Sequence, residues 1–233
     1  MQVSREHIHG AATATHNYTK ELVDASCSAD DCAAVCRRLA REIDDAFAAA
    51  KGVGTPVACA AGCDFCCHLR VSVFEHEAVA VLHHLRTRLP QTDVAAAEQR
   101  IVENATRIDA MTVAQHYAAR MPCALLVDGR CCAYEARPSA CAAHHSLSRA
   151  RCEHAFAHPE QHGTPNNSRP ASLELQTLGD ALIAATHSAL EENGRTATRR
   201  ELHQCLRDLL EKRGAADTPL TTRGDSLCRT HST

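Results

Sequence analysis

The chain has 233 residues, with 25 Lys and Arg against 28 Asp and Glu, a formal charge of −3 and a pI near 6.6. That balance argues against a general binder of nucleic acid or anionic membranes, and no stretch of about 18 consecutive apolar residues is present to span a bilayer. Four Phe, three Tyr and no Trp leave a core of Ala, Leu, Val and Ile, which favours helices over a β-sandwich.

Residues 1–28 are polar and aperiodic and read as a flexible tail. Ser28 or Asp30 caps a helix in which Cys32, Val35, Leu39, Ile43 and Phe47 recur at spacings of three and four, and Lys51-Gly52-Val53-Gly54-Thr55-Pro56 ends it. Residues 57–67, dense in cysteine and small side chains, read as a loop, and 69–73 as extended chain or the lead-in to a helix. Two alanine-rich helices follow over 74–89 and 92–119, separated at Pro90. Residues 121–145 form a second irregular cysteine segment, with a tight turn at Asp128-Gly129. A turn-rich loop over 162–170, amphipathic helices over about 172–192 and 197–213, and a flexible tail over 214–233 complete the chain. The expected fold is mostly α: one helical domain, 29–213, containing the cysteine region 57–152, whose two irregular loops meet in space and converge on a metal centre.

Fourteen cysteines, about 6% of the chain, fall below the density of small disulfide scaffolds. The first residues carry no apolar leader, which points to the cytoplasm, and in a reducing compartment clustered thiols are ligands or redox groups rather than disulfides. Cys59, Cys63, Cys66 and Cys67 place four thiols in one short loop. Neighbouring side chains diverge by about 100° in a helix and about 180° in a strand. Cys66 and Cys67 therefore reach one metal only if the backbone turns there; otherwise they serve two centres, or one of them is packing. Cys123, Cys131, Cys132 and Cys141 form the second cluster, with Cys152 beyond it.

Cys-x3-Cys-x2-Cys-Cys followed by Cys-x7-Cys-x2-Tyr-Glu-x-Arg-Pro-x2-Cys resembles the YkgJ family of CxxCxxCC proteins, described as zinc- or iron-chelating. The match spans 59 to about 152. The resemblance implies metal ligation by Cys59, Cys63, Cys66, Cys67, Cys123, Cys131, Cys141 and Cys152, with zinc or iron, including a 4Fe-4S cluster, as the cofactor. Cys132 stands where the family usually lacks cysteine, and Ala124-Leu125 and Ala142 replace the family's Pro-Phe and Arg. The related flagellin lysine N-methylases share the signature and an association with an iron–sulfur centre, which makes an iron–sulfur enzyme the first alternative. No glycine-rich cofactor fingerprint follows a predicted strand. A zinc-stabilised interaction module is the second alternative. The expected partner is a metal ion, with neither nucleic acid nor membrane.

Other residues carry weaker signals. Glu75-His76-Glu77 fails the HExxH template at Ala80, so His76 and His83 read as surface histidines. His144 and His145 follow Cys141 at ligand spacing, whereas His154 and His158 share an exposed helix face. Cys32 and Cys36 fall on an apolar row and read as core; Cys27, Cys205 and Cys228 are isolated. A Cys–His nucleophile pair meets only in space and leaves no local mark. Arg137, held extended by Pro138, is expected to point at a cysteine sulfur or loop carbonyl with Tyr134 packed beneath it.

Overall fold

The computed structural model describes residues 3–24, 26–159 and 170–212. Among them the chain is mostly helical, as expected, with only two short β-ribbons. In chain order the helices are α1 (Arg5–Leu22), α2 (Ala29–Gly52), α3 (Glu75–Arg88), α4 (Gln91–Asp109), α5 (Val113–Ala118), α6 (Ser139–Ala143), α7 (Arg149–Ala157), α8 (Leu173–Glu192) and α9 (Leu202–Glu211). The strands are β1 (Ser72–Val73), β2 (Leu126–Val127), β3 (Arg130–Cys131) and β4 (Arg200–Glu201). No described helix is long and apolar enough to cross a membrane.

α2 is the organising helix. Ser28 accepts from Asp31 N–H at 3.2 Å and Asp31 accepts from Ser28 N–H at 2.9 Å, a capping box that fixes its start. Its apolar row spans two cores: Cys32, Val35 and Cys36 pack with α3 and α9, while Leu39, Ile43 and Ala46 pack with α8 and α6. α3 is buried on every side over its first two turns, from Glu75 to Leu82. That overturns the surface reading of His76, which is 2% exposed and stacks on Phe74. His83 is partly buried and pairs with Asp30 at 3.0 Å.

Three sequence expectations change. Residues 5–22, read as tail, form α1, which packs along α8 and α2. Lys20 and His16 bind Glu192, and Asn193 donates to the Lys20 carbonyl. Tertiary contact rather than periodicity makes this helix. The long helix expected over 92–119 breaks after Asp109, because the Thr112–Gln115 capping box starts α5 afresh. Residues 200–201, expected to be helical, are instead extended: Ser72 pairs with Glu201 and Val73 with Arg200 in an antiparallel ribbon. The loop expected over 162–170 lies outside the described residues except at Pro170, as does the C-terminal tail from 214 to 233.

A Cβ added at Gly179 of α8 would sit 2.6 Å from the Ala143 Cβ of α6, so glycine sets the approach of the helix that carries Cys141. Gly179→Ala should cost about 1–3 kcal/mol in urea unfolding. Adding Ala143→Gly should recover most of the loss. A double variant no better than the single one would show that the contact is not limiting.

Candidate metal centre

The two cysteine segments meet: Cys123 N–H donates to the Cys67 carbonyl at 2.8 Å. Phe65–His68 forms a 3₁₀ turn, closed by Cys67 N–H on Asp64 O and Leu69 N–H on Cys66 O. At three residues per turn, neighbouring side chains stand about 120° apart. Even so, the Cys66 and Cys67 thiols stay within hydrogen-bond reach of each other, and each also meets a different set of cysteines.

On the Cys66 side, Cys59, Cys63, Cys66 and Cys152 line one open cleft, together with His144. Its other wall is apolar, from Phe65, Leu69 and Phe156, and Arg120 stands at it with its guanidinium 5.9 Å from the Phe156 ring. On the Cys67 side, Cys67 is hydrogen-bonded to Cys66 and in electrostatic contact with Cys123 and Cys141, and Cys141 with Cys123, Cys131 and Cys66. The hairpin of β2 and β3 delivers Cys131, because Asp128 and Gly129 both adopt positive φ, 49° and 72°, as a two-residue turn of this hand requires.

Burial raises the thiols of Cys59, Cys63 and Cys141, and neighbouring sulfurs raise them further. Cys131 is pushed up to about 12 by burial and by Cys123. Cys67 is raised by its hydrogen bond with Cys66, then by burial and by the charge of Cys66, Cys123 and Cys141. These thiols hold their protons at neutral pH. Among the described residues, no three Cys, His, Asp or Glu side chains are gathered into a ready ion site.

Basic groups flank both sides. Arg149, over the Phe65 ring at 5.6 Å, offsets part of the burial effect on Cys63, and Ser146 N–H donates to the Cys59 sulfur at 3.4 Å. Arg137 is 8% exposed, donates to Tyr134 O, pairs with Asp44 and lies 4.0 Å over the Tyr134 ring. It meets the expected loop carbonyl, and its charge opposes the burial of Cys131.

Sequence reading missed His203 and Glu201, which lie far beyond the cysteine motif. β4 and the start of α9 bring them under Cys123. His203 Nδ1 meets Glu201 at 2.9 Å, and Glu201 also caps α9 by accepting from Gln204 N–H. Ala124 N–H donates to His203 Nε2 at 3.1 Å. Burial opposes a charge on this ring, yet its hydrogen bonds to Cys123 and Glu201, with the electrostatic pull of both, raise it to about 10. The only sequence signal was Glu201 two residues before His203.

His145 is fully buried, accepts from Ser172 N–H at 3.0 Å and packs at a tilt against the Phe47 ring, at the start of α8. Cys132 is in electrostatic contact with Arg100, Cys123 and Asp93, and its N–H donates to Leu125 O. His154 and His158 are exposed on α7. Cys32 and Cys36 are core, as expected. Comparison with family models, curated proteins and solved structures found no match.

Proposed function

We propose that the protein binds metal through eight thiolates in two four-sulfur sets, Cys59/Cys63/Cys66/Cys152 and Cys67/Cys123/Cys131/Cys141. What supports this reading is that Cys59, Cys63, Cys66 and Cys152 line one cleft while Cys67, Cys123 and Cys141 adjoin one another behind the Cys123–Cys67 backbone bond, with the Cys66–Cys67 hydrogen bond linking the two sets. Four soft sulfur donors suit tetrahedral zinc or an iron–sulfur cluster, and either would neutralise the thiolates. Arg149 on one side and Arg137 and His203 on the other supply positive charge around the sulfurs. The resemblance to the YkgJ proteins supports the same ligands. The role is metal chelation in the cytoplasm, either stabilising the fold or serving redox or metal handling. An iron–sulfur enzyme is the second reading, favoured by the cleft on the Cys66 side, where an apolar wall and His144 face the thiols.

Elemental analysis and an anaerobic visible spectrum test this. Cys63→Ser and Cys131→Ser should each lose about half of the bound metal. A coloured, iron-containing protein favours the cluster, and a colourless zinc-containing one the structural module. Full metal content in the double variant overturns the ligand set, and total loss in either single variant overturns the division in two.

A further inference from the structure

The least satisfied polar group among the described residues lies away from these sulfurs. Arg195, one residue beyond Gly194 at the end of α8, is 1% exposed, yet its Nε, Nη1 and Nη2 all lack a hydrogen-bond partner. The turn drives it inward: Gly194 has φ +65°, and Arg195 N–H donates to Leu190 O at 2.8 Å. A buried guanidinium without partners carries a heavy desolvation penalty unless an anion stands beside it. The groups whose charge reaches it are Cys27, Glu75, Cys32 and Asp24.

Cys27 is 4% exposed and immediately precedes Ser28, the N-cap of the 24-residue α2. Cys32, 0% exposed in the opening turns of that helix, is hydrogen-bonded to Cys27. Two thiols thus touch at the positive end of a long helix, within electrostatic reach of a buried cation whose nitrogens have no hydrogen-bond partner. A helix N-terminus and a neighbouring arginine are the two influences that favour a thiolate. Asp24 and Glu75 oppose them, and His76 is a further titratable group near Arg195.

We infer that Cys27 and Cys32 form a redox-active dithiol, with Cys27 the nucleophile, Arg195 the cation that holds its thiolate, and Cys32 the resolving thiol. Burial and the bond to Cys27 keep the proton on Cys32, which assigns the roles in that order. With hydrogen peroxide as oxidant, the Cys27 thiolate attacks one peroxide oxygen. The S–O bond forms, the O–O bond breaks, and the departing hydroxide takes a proton and leaves as water. The Cys32 sulfur then attacks the Cys27 sulfenic acid and gives its proton to the expelled hydroxide. An S–S bond replaces the S–O bond, and a second water leaves. Peroxide gains two electrons and the two thiols lose them. None of the eight proposed metal ligands takes part.

The tryptic peptide 21–37 contains Cys27, Cys32 and Cys36, so Cys36 is an internal control. In the full-length protein treated with hydrogen peroxide and then alkylated, this peptide should lose two hydrogens while Cys36 is still alkylated. In Cys32→Ser, a dimedone adduct should appear on Cys27. Without peroxide, iodoacetamide should label Cys27 at least about tenfold faster than Cys36 at neutral pH. Arg195→Gln should remove most of that advantage, and Arg195→Lys should keep it. Equal labelling of Cys27 and Cys36 in the unaltered protein, or peroxide oxidation that spares this peptide, overturns the assignment whatever the Arg195 variants do.

Discussion

Stripping the protein with a strong chelator should cut the resistance of residues 57–67 to a broad-specificity protease by roughly 100-fold, while most helical circular dichroism survives. A 100-fold change requires only about 3 kcal/mol, against the ~10–16 kcal/mol that structural zinc contributes in small peptides. The helices do not need that energy, since α2, α3, α4, α8 and α9 pack through Leu, Val, Ile and Ala in two apolar cores. The first cysteine loop has no such support: Val57 is its one buried residue, and the backbone from Ala58 to Cys67 is held chiefly by turns. Residues 121–145 should open less, because Ala124, Leu125 and Ala133 are built into the larger core. Unchanged resistance of 57–67 after metal removal would mean that its thiols are packing residues.

How far the fold could be read in advance follows from which interactions are local. The α2 start, the Gly52-Val53-Gly54 end and the Asp128-Gly129 hairpin are set by residues within a few positions of one another, and sequence reading found them. α1 was missed because it is held by Glu192 and Asn193, far along the chain. His76 was misplaced for the same reason: its burial comes from helices that surround α3, not from its own spacing. The motif likewise left open which of its cysteines are neighbours in space, since that depends on the 3₁₀ turn at Phe65–His68 and on the Cys123–Cys67 backbone bond. Arg149 stands beside Cys63 because α7 packs on that turn, a contact that no local spacing announces.

Replacing Glu77 by alanine should lower the unfolding free energy by about 3–5 kcal/mol, a large share of the total for a domain of this size. Glu77 is 2% exposed and each of its carboxylate oxygens has a separate task. Oε2 accepts from Phe74 N–H at 2.8 Å, closing the first turn of α3, and Oε1 accepts from Ser139 N–H at 2.6 Å, where α6 begins. Alanine leaves two buried N–H groups without acceptors, each costing about 1–3 kcal/mol, and opens a small cavity besides. Glutamine keeps one acceptor but turns an NH₂ towards the other N–H, so Glu77→Gln should fall between, near ~2 kcal/mol. The consequence reaches the sulfurs because α6 carries Cys141, buried among Cys123, Cys131 and Cys66. Metal held through Cys67, Cys123, Cys131 and Cys141 should therefore be retained less well in Glu77→Ala, while Cys59, Cys63, Cys66 and Cys152 keep theirs. Urea unfolding and metal stoichiometry measured on the same preparations decide it. A variant within about 1 kcal/mol of the parent would show that water can replace the carboxylate, and that the position of α6 is set by Gly179 and the apolar contact with α8 alone.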